Sequence, residues 1–130
     1  MATTPYTVLI VDDSATTRAM IKRTIQLAAL PVERLYEAGN GREALDLMDC
    51  LKVDLVLADL NMPDMNGFEM TRRMSASTAL RGIPVVVVSA EPNARDFAHG
   101  CASVRGVLRK PFTPEGIRTM VNQVMGGNHA

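Results

Sequence analysis

Short runs of branched apolar residues, separated by stretches with a helical repeat, constrain this chain more than any other feature. Val8-Leu9-Ile10-Val11 and Val85-Val86-Val87-Val88 carry no polar alternation, and Val53 to Ala58 is broken only by Asp54. Such strands are buried on both faces, as happens when helices cover both sides of a parallel sheet. Gly106-Val107-Leu108 is a weaker run of the same kind, whereas Arg34 to Ala38 mixes polar and apolar residues and reads as an edge strand.

The intervening segments repeat at the helical period. Ser14 stands as a cap before Thr17, Met20, Ile21, Thr24, Ile25 and Ala28, which share one face. Asn40 caps a second helix carrying Ala44, Leu45, Leu47, Met48 and Leu51. A third follows Gly67 with Phe68, Thr71 and Met74, and a fourth runs from about Asn93 through Phe97, Ala98 and Cys101. Thr113-Pro114 places a cap before a proline at the first helical position, and Ile117, Met120, Val121, Val124 and Met125 then trace one stripe. Five strands alternating with five helices imply βαβ crossovers and one open parallel sheet covered on both faces. The expected fold is α/β, flavodoxin-like, in the order 2-1-3-4-5, with ligands bound where the carboxyl ends of the strands meet the reversal of order.

A chain of 130 residues, 47% of them apolar, suffices for one domain with a proper core, so a single domain over 1–130 is expected, ending in a loose tail over 126–130. Lys+Arg and Asp+Glu balance at 14 each, which removes any general attraction to nucleic acid or anionic lipid. No apolar run approaches the roughly 20 residues of a membrane helix. The start, Met1-Ala2-Thr3-Thr4-Pro5, lacks the basic character of a signal peptide, so a cytoplasmic, monomeric protein is expected. Cys50 and Cys101 lie in apolar, helix-like surroundings and read as reduced, buried thiols; His99 and His129 have no partner at metal-ligand spacing.

The strand ends carry the chemistry. The first strand ends in Asp12-Asp13, the third in Asp59, the fourth in Ser89 and the fifth in Lys110-Pro111. In the expected order these side chains converge on one rim. Carboxylates gathered within a few ångströms raise one another's pKa, and a hard divalent cation removes that conflict. Oxygen ligands without nearby His or Cys favour Mg²⁺ over Zn²⁺. A carboxylate nucleophile, Mg²⁺, a lysine and a small hydroxyl are the parts that phosphoryl transfer requires. Taken singly, each residue has a plainer role: Asp12 as a helix cap, Asp59 before a turn, Ser89 as a strand end, Lys110 as a solvated charge.

Four segments in order, Val8-Leu9-Ile10-Val11-Asp12-Asp13-Ser14, Asp59-Leu60-Asn61-Met62-Pro63-Asp64-Met65-Asn66-Gly67, Val87-Val88-Ser89-Ala90 and Lys110-Pro111-Phe112, give the sequence its family likeness. It resembles response-regulator receiver domains, those of stand-alone chemotaxis regulators above all, from about Tyr6 to Val124. The resemblance implies that Asp59 accepts the phosphoryl group. It implies that Asp12, Asp13 and Asp59, with the backbone carbonyl of Asn61, bind Mg²⁺. Ser89 and Lys110 would contact the phosphoryl oxygens, and the Lys110-Pro111 bond would be cis. The implied donor is a phosphohistidine on a chemotaxis-type histidine kinase or a histidine phosphotransfer protein. The implied output is a protein such as a flagellar motor switch component, since no effector domain follows the fifth helix. Such a domain catalyses its own phosphorylation and slow dephosphorylation without being an enzyme in the ordinary sense. One departure matters: most family members carry Tyr or Phe three residues before the lysine, where this chain has Val107. Without that ring, signalling falls to the Ala90 to Asn93 loop and the surfaces of the fourth and fifth helices, or the domain acts as a relay shuttle.

Other classes fit less well. A haloacid dehalogenase-type phosphatase needs a general acid two residues after its nucleophile, where this chain has Asn61. A flavodoxin-type FMN binder needs a hydroxyl-rich loop after the first strand and flanking aromatics, where this chain has Asp12-Asp13, no Trp, two Tyr and three Phe. A receiver-shaped scaffold that never takes up phosphate has no use for the intact acidic cluster.

Overall fold

The computed structural model describes residues 5–60, 65–98 and 102–126. Five strands, β1 (Tyr6–Val11), β2 (Val32–Ala38), β3 (Leu55–Ala58), β4 (Val85–Ser89) and β5 (Val104–Arg109), alternate with five helices. The helices are α1 (Ala15–Leu27), α2 (Gly41–Cys50), α3 (Gly67–Ser75), α4 (Ala94–Ala98) and α5 (Pro114–Gly126). The strands form one parallel sheet in the order β2-β1-β3-β4-β5, the expected one.

The unbroken apolar runs have the expected cause. Every residue of β1, β3 and β4 is buried. Successive residues feed opposite faces: Val8, Ile10, Leu55, Leu57, Val86 and Val88 pack with Ile21 and Ile25 of α1 and with Ile117 and Val121 of α5. Leu9, Val11, Val56 and Ala58 pack with Met48 of α2 and Met70 and Met74 of α3. Both edge strands are half-buried and each slips register once, between Tyr6 and Thr7 for the β1–β2 pair and between Val85 and Val86 for β4–β5. Glu33 and Arg105, the residues skipped, are exposed, and an irregular, charged edge discourages pairing with another sheet.

The helix caps follow the sequence. Ser14 Oγ accepts from Thr17 N at 3.2 Å, Asn40 Oδ1 from Glu43 N at 2.9 Å and Thr113 Oγ1 from Gly116 N at 3.0 Å. Asn66, not singled out from the sequence, caps α3 through Glu69 N at 2.8 Å.

Some details differ from expectation. Cys50 is a free thiol but exposed, because it sits on the outer side of the last turn of α2; Cys101, His99 and His129 lie outside the described residues. Met20 (64% exposed) and Phe68 (40% exposed) point away from the core, since the buried stripes run through Ile21 and Ile25 in α1 and through Met70, Thr71 and Met74 in α3. The strand expected from Val53 begins at Leu55, because Asp54 turns its side chain back to β1. Gly126 belongs to α5, so the tail expected from 126 onward starts no earlier than 127.

Candidate metal and phosphoryl site

Each rim residue is delivered by the end of a strand. The backbone N–H of Asp12 donates to the Ala38 carbonyl at 3.0 Å, that of Asp59 to Val11 at 2.9 Å and that of Lys110 to Ser89 at 3.0 Å. These bonds lock the strand ends to one another just where the side chains change from apolar to ionisable. Carboxylate oxygens of Asp12, Asp13 and Asp59 lie within 4.8 Å of one another. Lys110 Nζ stands 3.5 Å from Asp12 Oδ2 and 3.6 Å from Asp59 Oδ2. Asp12 is buried, Asp59 half-buried and Asp13 exposed, so the cluster opens to solvent on the Asp13 side.

Asp12 is the most constrained member. Its Oδ1 accepts from Ser14 N at 2.9 Å, whereas the buried Oδ2 has no hydrogen-bond partner. Burial pushes the Asp12 carboxyl above its ordinary value; the Ser14 N–H and the Lys110 ammonium pull it down, and the Asp59 and Asp13 charges push it up. Asp12 Oδ2 has the Lys110 ammonium at 3.5 Å but no hydrogen bond, and one ammonium against three carboxylates leaves negative charge that a further cation can neutralise. The donor set is all oxygen, and Mg²⁺ fits it.

Ser89 is buried, and its Oγ accepts from Glu91 N at 3.0 Å, so the hydroxyl proton remains available to an acceptor on the rim. Val107 is half-buried and, with Ser89, Glu91, Pro92, Ala94, Arg95 and Arg109, lines a cleft of about 110 Å³ between β5 and the start of α4. The Lys110-Pro111 peptide bond is cis. Asn61, with Met62, Pro63 and Asp64, lies outside the described residues.

Two features of the site escaped sequence reasoning. A Cβ on Gly67 would lie 2.2 Å from the carbonyl oxygen of Asp59, so only glycine lets the first turn of α3 pass so close beneath the central carboxylate. The sequence shows Gly67 as the end of a turn but not what it packs on. Arg18, on α1, donates to the backbone carbonyl of Asp12 and, through Nε, to Glu37 Oε1 at 2.9 Å. Nothing in the local sequence links residues 12, 18 and 37.

Comparison with known proteins bears on the whole chain. The family model described as "Response regulator receiver domain" matches residues 8–122. The protein "Chemotaxis protein CheY1" of Helicobacter pylori is 33% identical over 122 residues, covering 92% of this chain and 97% of that protein. A "Chemotaxis protein CheY homolog" of Campylobacter jejuni is 34% identical over 120 residues, with 91% of each chain covered. Among solved structures, chemotaxis response regulator CheY4 of Vibrio cholerae superposes with a TM-score of 0.81 at 31% identity, covering 93% of this chain and 99% of that one. With the strand order and the rim geometry already in place, the chain belongs to the response regulator receiver domains of two-component signalling.

Proposed function

We propose that this chain is a phosphorylation-operated switch in which Asp59 accepts a phosphoryl group from a phosphohistidine. The observation that carries the reading is the meeting of Asp12, Asp13, Asp59 and Lys110 around a buried carboxylate oxygen that lacks a donor. The Asp59 carboxylate attacks phosphorus in line, the P–N bond to the histidine breaks, and the freed imidazole takes a proton. The product is an aspartyl phosphate, and later attack of water on phosphorus returns the carboxylate and inorganic phosphate. Lys110 neutralises charge on the transferring oxygens and Ser89 donates its hydroxyl to one of them. Asp12, Asp13 and Asp59 would hold Mg²⁺, and the resemblance adds the Asn61 carbonyl to that set. When bound, the metal neutralises phosphoryl oxygens and offsets repulsion among the carboxylates.

The relatives named for chemotaxis match over nearly their whole length, which supports output by binding a flagellar motor switch protein, with phosphate supplied by a chemotaxis-type kinase. The reaction is one modification per chain rather than sustained turnover, in the cytoplasm; no helix among the described residues is long and apolar enough to cross a membrane. A second reading, a shuttle that only passes the phosphoryl group on, is favoured by Val107, because a relay needs no aromatic ring to report the state of the site.

Incubation with Mg²⁺ and acetyl phosphate, followed by intact-mass measurement, tests the proposal. One phosphoryl adduct is expected, lost in Asp59→Asn and with EDTA. An unchanged wild-type mass, under conditions where a known receiver reacts, overturns it.

A further inference from the structure

The Asp12–Asp13 step sits beyond the last residue of β1, where the sheet ladder ends. Its placement must come from elsewhere. On one side the Asp12 N–H is tied to the Ala38 carbonyl of β2 at 3.0 Å. On the other, the Asp12 carbonyl accepts from the Arg18 guanidinium, one helical turn into α1. That guanidinium is mostly buried, with its side chain 18% exposed, and it is itself held: Nε lies 2.9 Å from Glu37 Oε1. Lys22, on the next turn of α1, reaches the other Glu37 oxygen at 3.2 Å. Glu37 and Ala38 are consecutive, so β2 grips residue Asp12 from both sides, its N–H directly through Ala38 and its carbonyl through Arg18.

We propose that Arg18, braced by Glu37, is a positioning residue that fixes the Asp12–Asp13 peptide and thereby sets the affinity of the rim for a divalent cation. The inference rests on the reading of the acidic cluster as a Mg²⁺ site. A planar guanidinium with several donors in a fixed fork can serve a carbonyl and a carboxylate at once, which an ammonium cannot do in the same geometry. Outer groups that orient ligands typically contribute 10–100-fold to metal affinity. Charge alone argues the other way: a fixed cation beside three carboxylates disfavours a second cation, so removing Arg18 without any positioning role tightens metal binding.

The opposite signs make calorimetric Mg²⁺ titration of the full chain decisive, at fixed pH and salt. Arg18→Ala is expected to weaken Mg²⁺ binding about 10-fold and Arg18→Lys about 3-fold, with the amide resonances of Asp13 and Ser14 shifted in the metal-free protein. Glu37→Gln weakens binding in the wild-type background and has no further effect in Arg18→Ala, because its influence passes through Arg18. Binding as tight as wild type or tighter in Arg18→Ala overturns the proposal, as does an additive Glu37→Gln effect. Should Arg18→Ala fail to fold by circular dichroism, Arg18→Lys with unchanged affinity overturns it equally. A wild-type chain that binds no Mg²⁺ overturns the metal site itself, an outcome distinct from wild-type binding that the variants leave untouched.

Discussion

The two ends of the sheet are built on opposite rules. At the amino rim, polar groups are matched: Asp54 Oδ2 accepts from Thr7 N at 2.8 Å, Asp54 N donates back to Thr7 O at 2.9 Å, and the Ser75 and Ser103 hydroxyls meet at 3.1 Å. At the carboxyl rim, three carboxylates converge and a buried oxygen of Asp12 lacks a donor. Paired polar groups hold strands in register, whereas clustered, under-satisfied ones store a need that a ligand can meet. The exception at the amino rim is Tyr6, whose buried hydroxyl has no hydrogen-bond partner.

The contrast can be broken most strongly at Gly67. Gly67→Ala drives a methyl into the Asp59 carbonyl, and a loss of about 3 kcal/mol is expected in urea unfolding, together with weaker phosphorylation. Tyr6 sharpens the comparison through pH. Burial raises its phenol from 10.0 to about 12, so between those values the folded chain holds a proton that the unfolded chain has lost. Stability is intact below pH 10 and falls as pH climbs toward 12, by up to about 3 kcal/mol. Tyr6→Phe should abolish that alkaline loss; an identical pH profile in the variant refutes the assignment.

Asp54→Ala unpairs the Thr7 N–H at the amino rim and should cost about 2 kcal/mol while leaving Mg²⁺ affinity unchanged. The smallest effect has the opposite sign. Asp12→Asn relieves repulsion and the burial of charge, so the metal-free protein should gain on the order of 1 kcal/mol. Mg²⁺ should then no longer raise its Tm. A destabilised Asp12→Asn variant in EDTA would show that the carboxyl rim is not the strained end.

The sequence disclosed the architecture where one physical signal dominated. The valine run of β4 and the apolar run of β1 are short and rich in β-branched residues, which points to strands buried on both faces, and their polar terminators mark the rim. Long-range partners were hidden. Arg18 and Glu37 meet only because β1 and β2 pair in parallel, and Gly67 matters only because α3 passes under Asp59. Met20 misled because a helical stripe fixes the core face only to within one residue and Met20 stands beside buried Ile21; Cys50 misled because the last turn of α2 buries Met48 and leaves Cys50 outward.

Asp12 and Lys110 come from opposite ends of the chain yet stand 3.5 Å apart. A nascent chain that has emerged only through β4 carries every carboxylate of the rim but not the ammonium that answers them. The carboxylate cluster therefore stays without its ammonium until the final strand has docked.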